Sequence, residues 1–122
     1  MGYHVIEPAD LDASPGRPST KRPIGDAAGL QRLAINLYEV APGEEIPLAY
    51  HYHDEQEEAF YVLEGTLAVE TPDGGYDVEA GQAFVAEPES PHRAYNPAEA
   101  DASVRALAVG APSIDDVHEY DP

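Results

Sequence analysis

The sequence contains no cysteine, and it has no long apolar run. Without cysteine, disulfides and thiolate metal sites are excluded, so any bound metal must use nitrogen and oxygen ligands. No apolar stretch approaches the roughly 20 residues that a membrane-spanning helix needs, so we expect no membrane association. The amino-terminal segment lacks the basic and apolar regions of a secretory signal, and we therefore expect a cytoplasmic protein.

Positive charge is also scarce: six basic residues stand against 24 acidic ones, which gives a formal net charge of −18. Nucleic-acid binding is disfavoured, because phosphate contacts require lysine and arginine. Such a chain repels itself in dilute buffer, whereas in molar salt the screening length falls to about 3 Å. The composition predicts a halophilic protein, with an ordinary acidic protein as the alternative. A single acidic residue is therefore a weak indicator of function.

The order of turn-forming and apolar segments predicts an all-β sandwich or barrel in one domain of 122 residues. Proline and glycine mark residues 1–30 as an amino-terminal arm or loop, and residues 111–122 form a loose acidic tail. Between them, residues 31–110 contain short strand-like segments without helical periodicity. The run 58–71 is interrupted by Gly65, which predicts a hairpin there.

Two histidines in the stretch LAYHYHDEQEEAFYVLEG, residues 48–65, raise the possibility of a metal site. His51 and His53 are two positions apart, so on a strand they share one face. Glu57 and Glu58 follow a short acidic turn, and either carboxylate can complete a set of two histidines and one carboxylate. The alternative is a charged hairpin in which the histidine spacing arises by chance.

A third histidine, His92, lies in the segment GQAFVAEPESPHRAYN, residues 81–96. The two segments together resemble the two motifs of the cupin superfamily. The first motif is matched by Gly43, His51, His53, Glu58 and Gly65, with a longer spacer before the histidines than is usual. The second motif is matched by Gly81, His92 and Asn96, but its proline and glycine positions are occupied by Glu87 and Glu89.

The resemblance implies a small antiparallel β-barrel or jelly roll in which each motif forms a hairpin. It also implies one divalent metal bound by His51, His53, Glu58 and His92. Three imidazoles and a carboxylate suit Fe, Mn, Co, Ni, Cu or Zn better than Mg or Ca. Strand alternation cannot choose between Glu57 and Glu58, but the offset to Gly65 in the motif favours Glu58. The resemblance further implies a homodimer formed through sheet edges or the arm.

Other residues give weaker signals. The possible pocket residues are Tyr50, Tyr52, Phe60 and Asn96. The two tyrosines fit ordinary packing better, Phe60 fits the core, and Asn96 fits a pocket or a turn equally well. His4 and His118 lie near the termini, where we expect no function for them.

The function predicted from these features is that of a metal-dependent small-molecule enzyme. Dioxygenase, isomerase or epimerase, and lyase chemistry are all compatible with the resemblance, because one fold hosts many reactions. The alternative is a non-catalytic metal-binding or ligand-binding sensor module. Metal identity and substrate are not predicted.

Overall fold

The computed structural model describes residues 2–47 and 49–122. These residues form ten β-strands, one short α-helix and one 3-10 turn. The strands are β1 (Thr20–Arg22), β2 (Ala34–Val40), β3 (His51–His53), β4 (Glu57–Glu64), β5 (Thr66–Thr71), β6 (Gly74–Glu79), β7 (Ala83–Ala86), β8 (Arg93–Tyr95), β9 (Val104–Ala111) and β10 (Val117–Glu119). The helix α1 spans Ile24–Ala28, and the 3-10 turn spans Pro8–Asp10. The predicted all-β class is confirmed.

The strands make three antiparallel groups. A five-stranded sheet has the order β1-β2-β9-β4-β7, and a three-stranded sheet has the order β6-β5-β8. The third group is the pair β10-β3. Isolated bridges from His51 to His92 and from Glu45 to Tyr95 connect the first-motif region to β8 and the residue before it. The fold is thus closed around a shared interior.

That interior is an apolar core between the two larger sheets. Along β9, alternate residues are buried, as expected for a strand with one face on the core. Val40, Val62 and Val104 project from the five-stranded sheet and are fully buried. Leu67 and Val69 from β5 are buried in the same cluster. Burial of these branched side chains is the main stabilising contribution to the barrel.

The hairpin predicted around Gly65 is wrong. Strand β4 pairs with β9 and β7, whereas β5 pairs with β6 and β8, so the chain changes sheets at Gly65. A β-bulge between Val62 and Glu64 precedes this corner, and bulges bend and twist a strand. Gly65 adopts a φ of +78°, and a Cβ there would lie 2.6 Å from the carbonyl oxygen of Ser103. Glycine is therefore required by both conformation and space.

The hairpins that the cupin resemblance implied are also absent from the described residues. Strands β3 and β4 belong to different groups, and so do β7 and β8. A hairpin instead joins β5 to β6, with Thr71 opposite Gly74. Motif residues therefore meet by facing one another across the interior of the barrel and not by pairing within a ribbon.

Both terminal segments are integrated into the fold, in contrast to the expected loose tail. Strand β10 of the tail pairs with β3 in antiparallel register, and the Tyr120 amide donates to the Tyr50 carbonyl over 2.9 Å. Strand β1 of the arm extends the five-stranded sheet beside β2. The helix α1 packs on β2, and five residues are too few to show a helical period in the sequence. Within the described ranges, no helix has the length and apolarity needed to cross a membrane.

We predict that Gly65→Ala destabilises the fold more than Gly81→Ala does. Both glycines have positive φ, but a Cβ at Gly81 meets nothing within 4 Å. The Gly81 change should therefore lower the free energy of unfolding by about 1–2 kcal/mol, from conformation alone. The clash at Gly65 should add about 1–3 kcal/mol. Urea unfolding of both variants measures the difference, and equal losses would contradict the assignment of Gly65 to a crowded corner.

Candidate metal site

Four of the polar residues singled out in the sequence meet in the interior. His51 and His53 come from β3, Glu58 from β4, and His92 immediately precedes β8. One ligand atom each from His51, Glu58 and His92 lie within 4.8 Å of one another. The His53 Nε2 atom lies 3.8 Å from the second oxygen of Glu58. All three imidazoles are at least nine-tenths buried.

Strand geometry explains how these side chains converge. His51 and His53 alternate with Tyr52 along β3, so both imidazoles point to the interior. Backbone hydrogen bonds tie His51 to His92: the His92 amide donates to the His51 carbonyl over 2.9 Å, and the reverse bond is 3.3 Å. Glu58 shares its strand face with Phe60, which is buried in the core, whereas Glu57 is exposed. The structure thus directs Glu58, and not Glu57, toward the histidines.

Each imidazole is oriented by a hydrogen bond from its Nδ1 atom. His51 Nδ1 donates to the Ala49 carbonyl, and His92 Nδ1 donates to the Ser90 carbonyl, each over 2.9 Å. His53 Nδ1 donates over 2.9 Å to a carboxylate oxygen of Asp116. Acceptors of this kind fix the ring orientation and leave Nε2 as the nitrogen available to a metal.

Asp116 is a residue of the candidate site that the sequence did not reveal. Its second oxygen accepts the backbone amides of Glu55 and Gln56, at 2.6 and 3.0 Å. Burial opposes ionisation of this carboxyl, but these two amides and His53 outweigh it and lower its pKa to about 2. Asp116 is therefore ionised at neutral pH, and it fixes both His53 and the turn that leads to β4. In a tail rich in acids, no sequence pattern distinguishes it.

The ionisable groups of the cluster change one another's pKa values. Burial tends to raise the pKa of Glu58, but the hydrogen bond from His92 and the three nearby imidazoles lower it below its ordinary value. Burial lowers the pKa of His92, yet the 2.7 Å bond from its Nε2 to Glu58 raises it overall. Burial lowers the pKa of His51, and the neighbouring imidazoles act in the same direction. His51 is therefore neutral at pH 7, which is the form that binds a metal.

The donor set fits a divalent transition metal. Among the described residues, His53 Nε2 is a buried nitrogen with no hydrogen-bond partner, and such orphaned polar atoms are uncommon in folded proteins. A cation between this nitrogen, Glu58 and the other two imidazoles would satisfy it. Imidazole and carboxylate ligands together are typical of first-row transition metals.

A cavity of about 700 Å³ opens onto the cluster. Its lining includes His51, His53 and Glu58 together with Phe60, one of the predicted pocket residues. It also includes Arg17 and Tyr38, which the sequence did not single out. Arg17 belongs to the arm, and Tyr38 lies on the inner face of β2 among apolar residues, so neither carries a local motif.

The other three predicted pocket residues are not among the residues that line this cavity. The Tyr50 ring packs against Tyr120, with ring centroids 5.0 Å apart. The Tyr52 ring stacks on His118 at 5.3 Å. Alternation along β3 turns Tyr52 away from the histidines.

Asn96 has a structural role, because its hydrogen bonds hold two loops of the barrel together. Its side-chain amide donates to the carbonyls of Val40 and Ala102, over 3.0 and 2.9 Å. Its backbone accepts from the Gly43 amide and donates to the Glu44 carbonyl. The side chain is fully buried, and it joins the loops that follow β2 and β8. The turn role is therefore the one that its contacts show.

Comparison with solved structures agrees with this fold. The chain is similar to a sugar phosphate isomerase of the cupin superfamily from Silicibacter pomeroyi, with a TM-score of 0.76 and 26% identity over 88% of this chain and 75% of that one. It is similar to the polyketide cyclase RemF from Streptomyces resistomycificus, with a TM-score of 0.81 and 24% identity over 99% and 87% of the two chains. It is also similar to an oxalate decarboxylase from Lactobacillus farciminis, with a TM-score of 0.72 and 19% identity over 91% and 34%.

No protein of curated function matches the chain significantly. The sequence profile of the cupin domain matches residues 36–110, which is more than half of the chain and includes all four clustered residues. With the antiparallel fold and the His/Glu cluster already established, this match shows that the chain belongs to the cupin family.

Proposed function

We propose that the protein is a metal-dependent small-molecule enzyme with one divalent transition metal bound by His51, His53, Glu58 and His92. The observation that carries this proposal is the orphaned Nε2 of His53, buried beside the Glu58 carboxylate. The Nδ1 atoms of all three imidazoles are already bound to oxygen acceptors. Their Nε2 atoms are therefore the ones left for a shared ligand.

Binding of the metal requires a proton to leave the cluster. His92 donates from Nδ1 to Ser90 and from Nε2 to Glu58, so it carries two protons in the metal-free arrangement. The Nε2 proton occupies the position that a metal ligand needs. Metal affinity should therefore decrease as pH falls, because His92 then carries this proton in a larger fraction of the molecules.

Around the cluster, apolar side chains form part of the cavity wall. Ile46, Pro47 and Phe60 line the cavity beside the histidines, which reduces the access of water. The Tyr38 side chain is 7% exposed, and burial raises its pKa to about 12, so its hydroxyl is a neutral hydrogen-bond donor at pH 7. The bound metal would supply a Lewis acid or, if it is redox-active, a site for oxygen chemistry.

Dioxygenase, isomerase or epimerase, and lyase chemistry all remain compatible with this site. The likeness to a sugar phosphate isomerase, at 26% identity, supports testing isomerisation first. The alternative function is a non-catalytic metal-binding or ligand-binding sensor. A halophilic origin and a cytoplasmic location stay predictions from composition.

We predict that the protein, purified in high salt without a metal-affinity tag, contains about one equivalent of Fe, Mn, Co, Ni, Cu or Zn. Elemental analysis measures this content, and turnover screens with the loaded protein distinguish the enzyme from the sensor. Stoichiometric metal without any turnover would favour the sensor. Absence of metal after attempted reconstitution would contradict the enzyme and the metal-binding module, and would leave a ligand-binding module that needs no metal.

We predict that His51→Ala or His92→Ala abolishes tight metal binding. Asp116→Asn should weaken it by about 10–100-fold, because residues that orient a metal-bound histidine contribute to affinity to this extent. Competition with a chromogenic chelator measures the dissociation constants. His4→Ala is the matched control, because this exposed histidine lies outside the cluster. Stoichiometric tight binding by the His51 and His92 variants would refute the ligand assignment.

We also propose that two copies of the chain pair through the outer face of the five-stranded sheet. Two neighbouring cross-strand rows on β2, β9, β4 and β7 contain no charged residue, namely Ile35, Val109, Ala59 and Val85, and Leu37, Leu107, Tyr61 and Ala83. Helix α1 packs on β2 and Leu37 is buried, so the exposed part of these rows lies toward β4 and β7, where Val85 and Tyr61 are 65% and 45% exposed. Two chains of charge −18 repel unless their contact excludes carboxylates. This acid-free surface meets that requirement.

We predict a dimer mass in light scattering at high salt, and a monomer mass for Val85→Glu, because a buried unpaired carboxylate at the contact is strongly unfavourable. Val5→Glu adds the same charge at a fully exposed apolar residue outside this surface and should stay dimeric. A monomeric wild-type protein would overturn the proposal, as would a dimeric Val85 variant.

A further inference from the structure

The cavity beside the metal cluster contains one permanently cationic side chain. Of the residues that line it, Arg17 is the single arginine or lysine, whereas Glu58, Asp115 and Glu119 are acidic. Arg17 is half-buried. Its charge is felt inside the cavity, because it acts directly on the ionisation of Tyr38.

Arg17 also lacks a carboxylate partner among the residues that the structure describes, although acids are abundant. Arg22 pairs with Glu39, Arg93 with Glu45, and Arg105 with Glu64. Lys21 and Arg32 also have no ion pair among the described residues, but neither of them lines the cavity, so Arg17 is the unpaired cation that a ligand there meets. A guanidinium has five N–H donors arranged to bind a carboxylate through two parallel hydrogen bonds. Its donors are thus available to a ligand in the cavity.

The loop that carries Arg17 is tied at its base, so the backbone position of this residue is held by the fold. The Ser14 amide donates to the Lys21 carbonyl over 2.9 Å and closes the loop. Arg22, in the adjacent strand, donates to the Leu11 carbonyl over 2.8 Å. Pro15 and Pro18 restrict the backbone on either side of Arg17. Because the backbone at Arg17 is already ordered, less conformational entropy is lost when a ligand binds there.

We infer that Arg17 binds the carboxylate of an organic acid whose body occupies the cavity beside the metal, so that the substrate class of the proposed enzyme is small carboxylic acids. This inference rests on the proposed function. The geometry that supports it is one available guanidinium facing the same cavity as the His/Glu cluster.

The other charges of the cavity would balance once a metal is bound. A divalent metal and Arg17 together would offset the three carboxylates of Glu58, Asp115 and Glu119. An anionic ligand would therefore meet little net repulsion in the cavity. Apolar walls from Ile46, Phe60 and Val117 suit a hydrocarbon or aromatic body.

The test is a calorimetric titration of the zinc-loaded protein with benzoate, with its neutral analogue benzamide, and with inorganic phosphate. The variants are Arg17→Gln and Arg17→Lys, and the matched control is Arg32→Gln. Arg32 is exposed and lies outside the cavity, so its removal changes the net charge by the same amount. Zinc content and melting temperature are measured for each variant to establish that it is folded and loaded.

We expect benzoate to bind the wild-type protein and the Arg32 variant with equal affinity. Arg17→Gln should weaken benzoate binding by about tenfold or more, the typical effect of losing a charge-assisted hydrogen bond. The benzoate affinity of Arg17→Lys should lie between those of the wild type and Arg17→Gln, because lysine keeps the charge but cannot donate two parallel hydrogen bonds to a carboxylate. Benzamide should bind all forms weakly, without dependence on Arg17.

Equal benzoate affinity in the wild type and Arg17→Gln would overturn the inference, as would tighter binding of phosphate than of benzoate. Absence of benzoate binding to a zinc-loaded wild type would overturn it while leaving the metal proposal standing. If the protein takes up no zinc, the proposed function fails, and the same titrations are read on the metal-free protein. Benzoate binding that depends on Arg17 there would uphold the anion site alone, and its absence would refute that site as well.

Discussion

The burial of three imidazoles around one carboxylate is the interaction on which the rest of the site depends. Removing these groups from water is unfavourable unless each polar atom finds a partner. The fold provides two backbone carbonyls and Asp116 for the Nδ1 atoms, and Glu58 for one Nε2. Of the other two Nε2 atoms, that of His53 is buried without a hydrogen-bond partner among the described residues. A cation would complete the set, so desolvation supports the metal proposal in addition to ligand type.

The topology brings that cluster together from distant parts of the chain. Strand β4 carries Glu58 in the five-stranded sheet, while His92 precedes β8 of the three-stranded sheet. The chain can occupy both sheets because it turns the corner at Gly65, where no side chain fits. Asn96 then joins the loops after β2 and β8 through two buried hydrogen bonds. Gly65 and Asn96 thus stabilise the barrel without belonging to the cluster, and the cluster depends on the barrel that they maintain.

The sequence was informative where one short motif determines a side chain's environment. The spacing of His51 and His53, together with the resemblance to the two cupin motifs that adds Glu58 and His92, predicted which side chains converge. Strand alternation could not separate Glu57 from Glu58, because both faces of β4 are largely apolar. Strand pairing was predicted incorrectly around Gly65, since a glycine between two strands marks a sheet-changing corner as readily as a hairpin turn. Asp116 gave no signal against a background of acidic residues.

The residues missed by the sequence lie mainly in the terminal segments, and this division has a physical meaning. The cupin motifs supply the cluster from within residues 36–110, whereas Arg17 comes from the arm, and Asp115, Val117 and Glu119 come from the tail. The ligand atoms of a metal site must be held in place by fixed strands. The shape of a cavity, in contrast, can be changed by any segment that packs across its opening. The barrel therefore positions the candidate metal ligands, and the terminal segments contribute to the charge and shape of the cavity beside them. This separation explains how one fold hosts many reactions, and why a motif that identifies the family leaves the substrate open.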